Sequence, residues 1–202
     1  RSTTVTGVQT CALPISMKVS AYPPSTTVQM TTNYLISRGA VANALSNFAG
    51  SDLLVADLGI AAPMEHLPGL LQKKIAFGTK NCAEGAAMTR AQAIEAIEIG
   101  IELAAAGVKN GVRCFLPGEM GIANTTSSAC VAAVFCDLTP EAATGRGTNI
   151  SDARLKVKID VVREALRVNQ PDPKDGIDVL AKVGGFEIGN YQIGRASCRE
   201  RV

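Results

Sequence analysis

A three-layer, Rossmann-like α/β fold, with a mostly parallel sheet carrying helices on both faces, follows from three features of the sequence. Leu53–Asp57 (LLVAD) is an apolar run of strand length ending in an acid, the pattern of a parallel strand covered on both sides. The stretch 113–134, RCFLPGEMGIANTTSSACVAAV, reads as a short apolar strand, a glycine-punctuated turn and a helix of small residues. Amphipathic helical patterns over about 89–106 and from 151 onward alternate with those strands, as a parallel sheet requires.

Composition narrows the function. The 202 residues are 47% hydrophobic and 19% charged, enough for one domain with a sizeable core. Only 4% are aromatic, which argues against base-stacking platforms for single-stranded nucleic acid. No apolar run reaches the roughly 18 residues of a membrane span. The six cysteines form no CxxC pair, and Cys130 and Cys136 stand at a poor spacing for zinc, so free thiols in a reducing cytoplasm are expected. His66 is the only histidine, which argues against a Ser-His-Asp triad and against a multi-histidine metal site. Neither a metal nor a cofactor is expected.

Taken in order, residues 1–16 (RSTTVTGVQTCALPIS) show no clear period, and VTGVQTCALPI resembles a translated sequencing-library adapter. Residues 193–202, IGRASCRERV, resemble the adapter from the other end. Both are set aside as non-biological tails expected to pack against nothing, leaving a domain over 17–192. The tails hold Arg1, Arg195, Arg199, Arg201 and Glu200, so without them the net charge of +2 becomes −1 and the case for a nucleic-acid partner disappears.

Pro23–Pro24 and Ser25 open a helical pattern through Val28, Met30 and Leu35, and a second short helix ends at Gly50. Asp57, at the C-terminal end of its strand, is placed either to meet a ligand or to cap the following turn. Residues 59–80 are loop-rich. Thr89 and Gln92 have capping-box spacing at the start of the long helix, whose buried face carries Ile94, Ile97 and Ile101. A strand near 112–116 then delivers the turn that holds Glu119. Asn124, Thr125 and Thr126 are N-cap types before a helix over 127–135, and such a helix start favours a phosphate. Gly145 and Gly147 flank Arg146 in a second flexible, cationic turn. Ser151 or Asp152 starts a helix with Leu155, Ile159, Val162 and Leu166 on its apolar stripe and Lys156, Lys158, Arg163 and Arg167 on its wet side. Residues 177–183 begin a further helix or strand.

Three ordered motifs, GEMGIANTT, TGRGT at 144–148 and VGGFEI at 183–188, resemble the nicotinate-nucleotide:dimethylbenzimidazole phosphoribosyltransferase family, over about 19–191. That family makes the lower-ligand nucleotide of cobalamin. The resemblance implies that a nitrogen of 5,6-dimethylbenzimidazole attacks the anomeric carbon of nicotinate mononucleotide, nicotinate leaves, and α-ribazole 5′-phosphate forms. It implies Glu119 as a catalytic carboxylate, accepting the imidazole proton or holding ribose hydroxyls. It also implies a substrate site of Gly118, Gly121, Asn124, Thr125, Thr126, Gly145, Arg146, Gly147 and Lys158, with Met88, Thr89 and Gln92 lining the base pocket. The capping reading explains Thr89 and Gln92 without any ligand. Ala123 stands where the family has a glycine, which costs little if its dihedrals are ordinary.

The resemblance further implies a homodimer in the intact enzyme, small-molecule partners only, and a fold truncated on its C-terminal side. The family's second glutamate has no counterpart here, so this chain alone is expected not to turn over. A dinucleotide dehydrogenase lacks its GxGxxG fingerprint in this sequence. A non-catalytic nucleotide-binding α/β protein stays open as the alternative.

Overall fold

The computed structural model describes residues 2–9 and 18–191. Four parallel strands make one sheet in the order β3-β2-β1-β4: β1 (Ser2–Gln9), β2 (Asp52–Gly59), β3 (Leu70–Gln72) and β4 (Cys114–Met120). The helices are α1 (Thr26–Thr32), continued by a π turn over Asn33–Ser37, α2 (Val41–Ala49), α3 (Arg90–Lys109), α4 (Asn124–Cys136), α5 (Pro140–Ala143), α6 (Asp152–Asn169), α7 (Gly176–Val183) and α8 (Phe186–Asn190). Their buried side chains form separate clusters on the two faces of the sheet. Period-two alternation sends Leu53 and Val55 of β2 to a cluster with Val8, Ile60, Met64 and α1, while Leu58 faces one built from α3, α7 and Phe186. The three-layer α/β expectation holds.

Local chemistry fixes most element ends. Thr89 caps α3 in a full capping box, its hydroxyl accepting from the Gln92 N–H while the Gln92 side chain accepts from the Thr89 N–H. The Ser151 hydroxyl caps α6, and Gly50, in the left-handed region, stops α2. Asp57 takes the capping role. Its Oδ1 accepts from the Gly59 and Ile60 N–H groups at 3.0 and 2.8 Å, and its Oδ2 pairs with Lys74 Nζ at 2.7 Å. The helix-or-strand segment at 177–183 is helical, with Asp175 as its cap. On α2 the burial runs against the usual amphipathic rule: Asn43 and Ser46 are inside while Val41, Leu45 and Phe48 face outward.

Residues 2–9 do not pack against nothing, as the sequence suggested; they form the inner strand. Thr3 through Val8 pair with 52–57 of β2, and Ser2 through Val8 with 114–120 of β4. A ladder is made of backbone groups and asks only for a β-competent chain, and STTVTGVQ is rich in β-branched types. A search for hydrophobic period and punctuation misses a strand of this kind. The corresponding expectation for 10–16 and 193–202 falls on residues outside those described.

Without β1, both β2 and β4 lose a parallel partner. Deleting residues 1–9 should therefore cost more than about 4 kcal/mol and lower Tm by roughly 10 °C or more, or abolish the cooperative transition in calorimetry. An unchanged Tm would show that these residues are dispensable to the sheet.

Candidate active site

The strand order places the site. From β1 the sheet grows one way through β2 and β3, and then the chain crosses to the other side of β1 to add β4. That reversal makes the boundary between β1 and β4 the switch point of the sheet, where open α/β sheets hold ligands at the C-terminal ends of their strands. In register there, Gly7 lies opposite Glu119 and Val8 opposite Met120.

Glu119 is thus the penultimate residue of β4, with Gly118 before it, rather than a residue of the turn. The turn proper is 121–123, and α4 begins at Asn124, earlier than the sequence suggested. Asn124 does not cap that helix. Its side-chain Nδ2 donates instead to Glu119 Oε2. The cap position is Ala123, at φ 74° and ψ 4°, with no side-chain hydrogen bond. These dihedrals are left-handed, so the methyl group at this glycine-type position costs about 1 kcal/mol rather than little.

Several N–H groups of the turn are already engaged. Ile122 N donates to the Thr27 hydroxyl at 3.3 Å, Asn124 N to Gly121 O, and Thr126 N to Ala123 O. The positive charge comes from elsewhere. Lys158, on α6, is 1% exposed, and its ammonium donates to Thr125 Oγ1 at 2.7 Å and to Gly145 O at 2.9 Å. Among the described residues no carboxylate lies within ion-pair distance of it. Burial pushes its pKa below the ordinary lysine value. Gly147, at φ +65°, sits so close that a Cβ there would meet Thr125 Oγ1 at 2.8 Å and Lys158 Nζ at 3.3 Å. Only glycine fits. Thr126 Oγ1 and Thr144 Oγ1 are buried without a hydrogen-bond partner among the described residues.

The structure gathers Gly118, Glu119, Gly121, Asn124, Thr125, Gly145, Gly147 and Lys158 around the start of α4. Lys158 lies on the buried side of α6 with Val162 and Ala165, not on the wet side read from the sequence, while Leu155, Ile159 and Leu166 of the expected stripe are half-buried beside them. Arg146 is spent on its own loop, where its guanidinium donates to Ile150 O at 2.8 Å and pairs with Asp152. Met88 packs into the cluster with Leu58, Ala93, Leu180 and Phe186, and the side chains of Thr89 and Gln92 close the capping box.

Three residues around Glu119 were missed in the sequence. Tyr34, in the π turn, and Tyr191, after α8, have phenols raised by burial and by the Glu119 charge, Tyr191 to about 12. The third is Glu187, at the start of α8, 1% exposed, with neither carboxyl oxygen hydrogen-bonded among the described residues. Desolvation pushes its pKa to about 8, and the Glu119 charge adds to the rise. Glu119 itself keeps contact with solvent, yet neighbouring atoms strip enough water from its carboxyl to raise its pKa against the lowering effect of Asn124. The only available signal was Glu187 following a double glycine in GGFEI.

At the switch point the strand-end carboxylate of Glu119 and the buried ammonium of Lys158 both stand at the start of α4, in an α/β fold. The phosphoribosyltransferase family matches residues 15–194, and the chain belongs to that family. β1 lies outside the matched span. The nicotinate-nucleotide–dimethylbenzimidazole phosphoribosyltransferase of Geobacter metallireducens is 51% identical over 170 residues, 84% of this chain and 48% of its own length. The protein of the same name from Geobacter sulfurreducens is 48% identical over 170 residues. CobT from Thermus thermophilus superposes with a TM-score of 0.88 at 36% identity, covering 96% of this chain and 59% of its own. The chain spans about half the length of the curated relatives it matches. Among the described residues no helix is long and apolar enough to cross a membrane.

The Glu187 carboxyl gives a definite pH dependence. Its folded pKa of about 8 lies above the ordinary 4.5, so between those values the folded chain holds a proton that the unfolded chain has released. Stability should fall as pH rises through that window, by up to about 1.4 kcal/mol per pH unit, and level off above 8. Glu119, also raised, acts in the same direction. Urea titrations at pH 5, 6.5 and 8 should show the decline, and Glu187→Gln should flatten most of it. A wild-type stability that rises with pH across this range would contradict the burial assigned to Glu187.

Proposed function

We propose that this chain binds nicotinate mononucleotide and takes part in phosphoribosyl transfer to 5,6-dimethylbenzimidazole, yielding α-ribazole 5′-phosphate and nicotinate. The observation that carries the reading is the buried Lys158 ammonium, held by the Thr125 hydroxyl and the Gly145 carbonyl at the start of a 13-residue helix. An unpaired buried cation is costly unless an anion offsets it, and a 5′-phosphate supplies that anion. The Gly147 loop and the N-terminal end of α4 add donors and dipole on the same side.

With the phosphate held there, the ribose extends toward the C-terminal end of β4 and Glu119. The attacking base nitrogen forms a bond to the anomeric carbon as the bond from that carbon to nicotinate breaks. Inversion at the carbon turns the β-linkage into α. The proton on the ring's other nitrogen passes to Glu119, whose raised pKa makes it a stronger base than an ordinary carboxylate. Asn124 fixes the carboxylate for that role. The same family likeness carries with it a cytoplasmic homodimer, and Met88, Thr89 and Gln92 as part of the base pocket.

Lys158→Met separates binding from folding, because it removes the charge and keeps an unbranched side chain in the buried stripe. Calorimetric titration of nicotinate mononucleotide should show affinity lower by about 1.5–3 kcal/mol, roughly 10- to 150-fold, with Tm within a few degrees of wild type. Equal affinity in both proteins would overturn the phosphate assignment. Assay of α-ribotide formation in the same samples separates transfer from binding alone.

A further inference from the structure

The loop over 144–148 is exposed from Gly145 onward, and it is gripped from two sides. From within, the Lys158 ammonium donates to the Gly145 carbonyl at 2.9 Å. From outside, Thr148 Oγ1 accepts the backbone N–H of Ala21 at 3.2 Å, across 127 residues of chain. The carbonyl of the preceding residue, Ser20, accepts from Arg154 Nη1 at 2.8 Å. Arg154 and Lys158 stand one turn apart on α6. The contacts close a circuit in which Lys158 holds the loop, Arg154 holds the 20–21 backbone, and that backbone holds the loop.

Arg154 is the third residue of α6, in a first turn where the helix dipole disfavours a cation. The 19–27 segment it reaches is itself anchored. Val19 and Ser20 are 2% and 5% exposed, and Val19 shares a buried cluster with Ala123, at the α4 start, and with Val162, one turn beyond Lys158. Further along, the Thr27 hydroxyl accepts from the Ile122 N–H in the turn before α4. The segment thus fastens both the 144–148 loop and the 121–123 turn. With glycine at 145 and 147, the loop has wide backbone freedom to lose when it closes on a ligand, and an outside tie removes that cost from the binding step.

We propose that Arg154 and Thr148 are positioning residues that act through the 20–21 backbone to clamp the 144–148 loop down on the Lys158 ammonium. Neither touches the ligand. Arg154 fixes Ser20, the next residue offers its N–H to Thr148, and the loop is held where Gly145 meets Lys158. An incoming phosphate then finds its site already formed. Breaking either tie frees the loop, admits water to the ammonium and restores the ordering cost to the binding step. The phosphate rests on the function proposed above, whereas the clamp on Lys158 does not.

The test uses the full 202-residue chain with Thr148→Val, Arg154→Gln and the double variant, beside Lys156→Gln, which removes an exposed cation of the same helix without touching the 20–21 backbone. NMR without ligand reads the amide signals of 145–148 and the titration of Lys158. Thr148→Val and Arg154→Gln should both displace the loop amides and speed their hydrogen exchange. Thr148→Val changes no charge, yet Lys158 should titrate closer to the ordinary 10.5 in it than in the wild type. Lys156→Gln should leave the loop amides at their wild-type positions. In calorimetry each single variant should bind nicotinate mononucleotide about three- to tenfold more weakly. The double variant should bind no more weakly than the worse single variant, because both cut one circuit. Loop amides and a Lys158 titration unmoved by Thr148→Val, or losses that add in the double variant, would overturn the proposal. The ligand-free signals decide the clamp even if nicotinate mononucleotide fails to bind, so its failure and that of the phosphate assignment are distinguishable.

Discussion

The site depends on one buried charge. Lys158 is brought in from α6, and its ammonium draws together the first turn of α4 through Thr125 and the 144–148 loop through Gly145. Both partners are neutral, so they orient the charge without cancelling it. Gly147 allows the loop to close over the ammonium, since any side chain there would collide with Thr125 and Lys158. The arrangement keeps a cation at the mouth of a helix whose own dipole has the same sign, which concentrates attraction for an anion at one point. Glu119 lies one strand residue before β4 ends and is joined to the same helix start through Asn124.

The sheet supplies the frame for that pairing. With β1 between β2 and β4, the order β3-β2-β1-β4 produces a switch point, and the loop after β4 opens toward α4. β1 lies outside the segment that matches the family, yet it completes both ladders. A parallel ladder recognises backbone groups and β-competent dihedrals more than particular side chains. The side chains gathered in the candidate site, Glu119, Asn124, Thr125 and Lys158, lie on β4, α4 and α6, all inside the family-matched span.

What was legible in the sequence is what local chemistry decides. Thr89 with Gln92, Ser151, Gly50 and Asp57 act within a few residues of themselves, and each behaves as its type and spacing suggest. The apolar run at 53–57 gave β2 because both its faces are covered. The misreadings came from tertiary context. Glu119 extends β4 because β1 pairs through it, and Asn124 leaves its capping role because a carboxylate lies within reach. Ala123 takes a left-handed conformation that its residue type gives no reason to expect. The rotation of α6 that buries Lys158, and the fold of α8 that buries Glu187, depend on partners far away in the chain. Charged residues default to solvent in any periodic reading, so these two are invisible without a family resemblance or a structure.

The central claim is that Lys158 is a desolvated cation held ready for a phosphate, and its own titration tests this most directly. NMR of the lysine side chains, with Lys158 assigned by substitution, gives its pKa in the free chain and with nicotinate mononucleotide bound. Lys158 should titrate below the ordinary 10.5 in the free chain, and its pKa should rise when the phosphate is bound. An ordinary value that nicotinate mononucleotide leaves unmoved would contradict it.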